Sequence, residues 1–142
     1  MATFVKFNKF IEQLAEKAYD LGSDTLKFAL TNVAPTAATD TQFDPVTDHA
    51  APVADNGYTS GGHTATIASS TESGGTYTLA CTTDVVITAT AGGIGPFRYV
   101  ILYDDDAAND ELIGYWDYDS SITLAVDETF TIDVTASLLT IA

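Results

Sequence analysis

The sequence predicts a mainly β protein, an antiparallel β-sandwich or jelly roll with one N-terminal amphipathic α-helix. About nine short apolar runs, each typical of a strand, alternate with turn signals at the spacing of sandwiches and barrels. The spacing of an amphipathic helix is clear over residues 7–21. A chain of 142 residues is most simply one domain, so we expect a single β-rich domain over residues 1–142.

The predicted helix, residues 7–21, carries apolar residues such as Phe7 and Phe10 at steps of three and four on one face. Acidic, amide and lysine side chains fill the opposite face. Gly22 stands where a C-terminal cap is expected. We expect this helix to cover one face or edge of the sheet; the alternative is that it docks onto a neighbouring subunit.

The next predicted elements are a strand at residues 25–31 and an extended loop or arm at residues 32–62. Apolar and polar residues alternate along the strand, as in a half-buried strand. The following segment is rich in Pro, Asp, Thr and Ala and has little periodicity. Because such long structureless stretches are unusual in compact domains, we expect an arm that packs on another subunit. Phe43 and Val46 are its expected anchors.

Residues 63–142 form the predicted β-sandwich body. Its centre is a strand pair, residues 97–103 and 112–116, rich in aromatic and β-branched residues. Gly114 in mid-strand indicates a bulge or the close approach of a neighbouring side chain. Trp116, the only tryptophan, is the expected core anchor. The other strands predicted in the body are residues 63–69, 76–81, 84–91, 122–124, 129–134 and 138–141.

Charge and cysteine content narrow the functional classes. Twenty acidic residues against five basic ones give a formal net charge of −15. This excludes a conventional nucleic-acid-binding surface, which needs basic residues, and disfavours anionic membranes. A partner is expected to offer neutral or basic surface. Cys81 is the only cysteine, so no disulfide can form within the chain.

The sequence predicts no catalytic and no cofactor-binding residues. His49 and His63 stand alone, without a local Ser–His–Asp or Cys–His motif. The best metal candidate is the acidic loop, in which Asp104, Asp106 and Asp110 could offer hard oxygen ligands to Ca²⁺. Because its spacing does not match an EF-hand, we expect a solvated hairpin loop without a metal.

Four blocks of the sequence resemble a group of small structural proteins of tailed bacteriophages. In chain order the blocks are KFNKFIEQLAEKAYDLGSDTLKFALTN, NGYTSGGHT, GPFRYVILYDD and LIGYWDYDSSITLAVDETFTIDV. They cover well over half of the chain, and the acidic loop at residues 104–110 departs from the pattern. The resemblance implies a non-enzymatic virion structural protein, and some phages use such small β-sandwiches as capsid cement, or decoration, proteins.

The capsid interpretation implies both partners and location. A cement protein binds the major capsid protein and copies of itself, as a homotrimer or other homo-oligomer, on the capsid surface of the virion. The N-terminus lacks the apolar region of a signal peptide, and no stretch is apolar enough to span a membrane. We therefore expect synthesis in the host cytoplasm, and no nucleic-acid, membrane or cofactor partner.

The alternative function is a tail or fibre component whose β-sandwich binds a carbohydrate or a receptor. Tyr58, Tyr115, Trp116 and Tyr118 could form a sugar-binding platform beside the many carboxylates. Aromatic residues at strand ends are more often core or subunit contacts, so the structural role is expected first.

Overall fold

The computed structural model describes residues 2–52 and 56–142 and confirms the mainly β class. Within those residues, no helix is long and apolar enough to cross a membrane. In chain order the elements are β1 (Thr3–Lys6), α1 (Lys9–Ala15), β2 (Leu26–Thr31), β3 (His63–Thr64), β4 (Ile67–Ser73), β5 (Thr76–Cys81), β6 (Val85–Thr88), β7 (Ile94–Asp104), β8 (Leu112–Leu124), β9 (Thr129–Ile132) and β10 (Leu139–Ile141).

The strands form three antiparallel sheets in a sandwich-like arrangement. The five-stranded sheet has the order β1-β8-β7-β2-β3, and the smaller sheets are β10-β5-β4 and β6-β9. One face of the large sheet shares a continuous apolar core with the small sheets. This core includes Phe28 and Val100 from the large sheet and Leu79, Ile87 and Ile132 from the small ones.

The predicted strand pair lies at the centre of the large sheet as β7 and β8. The two runs predicted at residues 112–116 and 122–124 belong to one continuous strand, β8. Gly114 permits a close approach, as expected: a Cβ there would lie 2.4 Å from the ring of Phe4 on β1. Trp116 is only half-buried, and its ring packs between Phe4 at 4.9 Å and Phe28 at 6.0 Å.

The helix is shorter than the sequence predicts. Helix α1 spans Lys9–Ala15, whereas the apolar spacing predicts a helix over residues 7–21. Lys17 adopts a φ of +64°, and the N–H of Ala18 donates to the carbonyl of Gln13 at 2.8 Å. This is a Schellman cap, with lysine in the left-handed position where glycine is usual. The apolar spacing continues beyond the cap to Leu21, and the periodicity therefore predicts a longer helix.

The described part of residues 32–62 contains neither helix nor strand and lies against its own five-stranded sheet. Phe43, one predicted anchor, is buried and stacks on Tyr103 of β7 with ring centroids 4.3 Å apart. Val46, the other, is 80% exposed, so that assignment is wrong. The segment thereby covers part of the sheet face that the small sheets leave open, in a second apolar cluster with Phe7 and Ile101.

Candidate functional site

The acidic loop between β7 and β8 begins with a buried carboxylate. Asp104, the last residue of β7, has no exposed surface. Its Oδ1 accepts hydrogen bonds from the N–H groups of Asp106 at 3.0 Å and Ala107 at 3.1 Å. The expectation of a solvated loop is therefore wrong for Asp104, whereas the side chain of Asp106 is exposed as expected.

The other two candidate calcium ligands, Asp106 and Asp110, make contacts that hold the acidic loop in place. Asp106 accepts a hydrogen bond from the N–H of Thr25 at 2.7 Å, and this bond holds the pKa of Asp106 below its usual value. Asp110 has a φ of +53°, its carbonyl accepts the N–H of Phe43, and burial raises the pKa of its carboxyl. Within residues 2–52 and 56–142, no group of three or more His, Cys, Asp or Glu side chains could hold a metal ion.

A cavity of about 620 Å³ separates the acidic loop from the connection between α1 and β2. Four acidic residues and one lysine are among the residues that line it: Asp20, Asp24, Asp106, Glu111 and Lys17. Sequence reasoning missed Asp20 and Asp24, because they lie far from the acidic loop in the chain. Only the folded structure brings the two acidic segments to one cavity.

Asp104 does not line this cavity, but its carboxyl group lies near that of Asp24. The Oδ2 atom of Asp104 is buried and has no hydrogen-bond partner in the part of the chain that is described. Burial raises the pKa of Asp104 to about 7, and the nearby carboxyl group of Asp24 makes a smaller upward contribution. Two neighbouring carboxylates repel each other, so the ionised form of the buried Asp104 is disfavoured beside Asp24.

The buried nucleophilic and basic side chains serve packing. His49 is 1% exposed and stacks on Phe43, and its Nδ1 accepts the N–H of Asp44 at 3.1 Å. Burial lowers the pKa of His49, and it does the same for His63. Burial also raises the pKa of Cys81, which keeps the thiol protonated and poorly nucleophilic.

The four aromatic residues of the expected sugar platform are not brought together. Tyr58 is 2% exposed and belongs to the core, and Tyr115 packs in the second cluster on the other side of the sheet. Trp116 and Tyr118 do lie together and line a cavity of about 390 Å³ with Asp133. Two of the four residues of the expected platform therefore lie at one cavity.

Strand β4 is exposed on both faces. Six of its seven residues are exposed, and the seventh, Ile67, is partly buried. The strand forms one edge of the β10-β5-β4 sheet, so its outer side has no strand partner among the described residues. Its backbone N–H and C=O groups on that side are open to pairing.

Comparison of the chain with protein-family models, with curated proteins and with solved structures finds no match. The function is therefore inferred from the sequence blocks, the net charge and the exposed surfaces described above.

Proposed function

We propose that this chain is a non-enzymatic structural protein of a tailed-phage virion, most simply a capsid cement protein. In this role it binds the assembled shell and stabilises it by bridging capsomers. The resemblance of the four sequence blocks supports the virion role. The structural observation that supports a bridging role best is the open, doubly exposed edge strand β4.

The sequence of β4 leaves its edge unprotected. Soluble proteins usually shield long edge strands with lysine, proline or a covering segment, because an open edge invites strand addition. The strand reads IASSTES, and Glu72 is its only charged residue. On a chain with a net charge of −15, this nearly uncharged edge lets another subunit approach without bringing many carboxylates together.

A lattice of identical sites turns weak contacts of this kind into a stable coat. A protein that binds only the assembled shell shifts the equilibrium towards that shell by mass action. Many copies on one lattice add avidity, and closed trimers match the local symmetry of capsids. These properties require an open association surface and solubility before assembly, which β4 and the negative charge provide.

The virion role is tested by quantitative mass spectrometry of particles purified from the phage that encodes the chain. A cement protein is expected at a copy number comparable with that of the major capsid protein. A copy number of only a handful would contradict the cement role and favour the tail. Absence from the particle would contradict the virion role altogether.

The contribution of β4 is tested with a double variant, Ser69→Lys and Thr71→Lys, mixed with empty shells. Lysine on an edge strand opposes strand addition, so the variant should lose shell binding while its own melting temperature changes little. The matched control, Thr59→Lys and Ser60→Lys, adds the same charge at exposed loop residues. Equal protection of heated shells by both variants would rule out β4 as the docking strand.

The second candidate is a carbohydrate-binding tail or fibre component, and the cavity at Trp116 and Tyr118 favours it. Sugars stack on aromatic rings and hydrogen-bond to carboxylates, and Asp133 supplies such a group at the same cavity. Glycan-array binding that is lost in Asp133→Asn, with an unchanged melting temperature, would support this function. An array without binding to the wild-type chain would remove it.

A further inference from the structure

The hairpin of β4 and β5 determines which backbone groups of β4 point away from its sheet. The strands are connected by glycines at residues 74–75, whose φ angles of +62° and +88° are those of a type I′ turn. Ser73 and Thr76 flank this turn as a hydrogen-bonded pair, and such pairs alternate with non-hydrogen-bonded ones along an antiparallel ladder. The N–H and C=O groups of Ser70 and Glu72 therefore point outwards, away from β5.

The outer side of β4 is accessible along the regular part of the strand. The ladder to β5 is regular from Ser69 to Ser73, and all of these residues are exposed. Their side chains are small except that of Glu72, whose Oε1 accepts the N–H of Gly75 at 2.7 Å. A strand added here therefore meets free backbone groups and small side chains, while the one carboxylate is held towards its own turn.

The pattern of outward groups is complementary to itself. If two copies of β4 run antiparallel about a twofold axis at Thr71, the midpoint of the regular part, Ser70 of each copy lies opposite Glu72 of the other. Both residues point their N–H and C=O groups outwards, so each of these two pairs exchanges both of its backbone hydrogen bonds. The same surface patch then serves both copies, as a closed dimer requires.

Charge favours this contact between copies. Two chains that each carry a net charge of −15 repel one another wherever their carboxylates are brought together. Glu72 is the only charged residue of β4, and in this register it lies opposite Ser70 rather than opposite the other Glu72. Because each Glu72 carboxylate is bonded to its own turn, the two carboxylates are directed towards opposite ends of the paired strands.

We propose that β4 pairs antiparallel with β4 of a second copy of this chain, about a twofold axis at Thr71. The β10-β5-β4 sheets of the two copies then form one continuous sheet. This inference rests on the proposed role of β4 as an association strand and names its partner. In the cement role, a dimer joined at β4 carries two shell-binding surfaces, and loss of the pairing removes the avidity of the pair.

The pairing is tested by sedimentation equilibrium of the full chain over a range of concentrations in physiological NaCl. The wild type should show a monomer–dimer equilibrium. Ser70→Pro removes an outward N–H from each copy but leaves the ladder to β5 intact, so the Kd of the dimer should rise by about tenfold. The matched control Ser60→Pro should keep the wild-type Kd, because Ser60 is the exposed second residue of a turn closed by the N–H of Gly62 and the carbonyl of Thr59.

Cysteine crosslinking tests the register. In the proposed dimer the Cα atoms of the two Thr71 residues are about 4.5 Å apart, within the range that a disulfide spans, so Thr71→Cys should give a covalent dimer on oxidation. Ser73→Cys lies on the same face of the strand, but its two copies are about 14 Å apart and should not crosslink. The native Cys81 is buried, so the wild type should not crosslink either.

Three results would overturn self-pairing: a wild type that stays monomeric at every concentration, a Ser70→Pro variant that keeps the wild-type Kd, or equal crosslinking of Thr71→Cys and Ser73→Cys. If Ser70→Pro unfolds, the double variant Ser69→Lys and Thr71→Lys replaces it, since lysines on the edge also oppose strand addition. A monomeric wild type whose double variant still loses shell binding would refute only the partner named here. A dimer that is absent from virions would instead support the pairing and contradict the proposed function.

Discussion

Gly114 shows how one residue fixes the position of an edge strand. Its missing side chain leaves room for the ring of Phe4 on β1, which packs against the indole of Trp116. A Cβ at Gly114 would also lie 3.0 Å from the carbonyl oxygen of Val5. The attachment of β1 to the sheet therefore depends on glycine at this position.

Gly114→Ala is expected to destabilise the fold by about 1–3 kcal/mol, the usual cost of overpacking. The cost should shrink in a Phe4→Ala background, because the displaced ring is then absent. Chemical denaturation of the wild type, both single variants and the double variant measures this coupling. Strictly additive effects would show that the ring of Phe4 is not what the new methyl group meets.

At the scale of elements, the segment at residues 32–62 depends on a buried histidine. The ring of His49 stacks on Phe43, which stacks in turn on Tyr103 of β7. Nδ1 of His49 accepts the N–H of Asp44, so the ring must be neutral to hold that bond. Burial lowers the pKa of His49 more than the nearby carboxylates of Asp40, Asp48 and Asp44 raise it.

The packing of this segment should therefore weaken in acid. Because the pKa of His49 in the folded chain lies below the ordinary 6.5, its contribution to stability is full above 6.5 and is lost as pH falls through the folded value. Limited proteolysis should cut residues 32–62 faster at about pH 5 than at neutral pH.

Two variants separate His49 from other acid effects. His49→Asn keeps an acceptor near Asp44 without a titrating ring, so the difference in cleavage between the two pH values should largely disappear. His63→Gln removes the other histidine, whose pKa burial also lowers, and should retain the difference. The same pH response in wild type and His49→Asn would show that His49 is not the titrating group.

At the scale of the whole molecule, the net charge of −15 opposes compaction. Among the described residues, few of these charges are paired by lysine or arginine: Lys9 pairs with Glu12, Lys27 with Asp105, and Arg98 with Asp117. Repulsion among the remaining carboxylates is long-range and therefore sensitive to salt.

The melting temperature should rise as NaCl increases from low to physiological concentration. The Debye length falls from about 30 Å at 0.01 M to about 8 Å at 0.15 M, so repulsion across the domain is screened. Differential scanning fluorimetry in EDTA with increasing NaCl measures this without divalent ions. A melting temperature that falls or stays constant would show that the carboxylates repel one another little in the folded state.

The sequence alone determined the features that rest on local pattern. Alternation and β-branched content predicted the β class and the central pair, now β7 and β8, because strand periodicity is a property of neighbouring residues. The close approach of a neighbouring side chain at Gly114 could also be predicted from the local sequence. The exposure of Val46 and the pairing of β1 with β8 could not be predicted from the sequence, because both depend on residues that are distant in the chain.

The tertiary structure decided which polar groups are buried and what they face. In the sequence, Asp104 is one acid in a run of acids; in the fold it is fully buried and lies near Asp24, far away in the chain. The helix likewise ends at a lysine-containing cap although its apolar spacing continues. Burial and electrostatic contact arise from packing between distant segments, and periodicity along the chain carries no information about them.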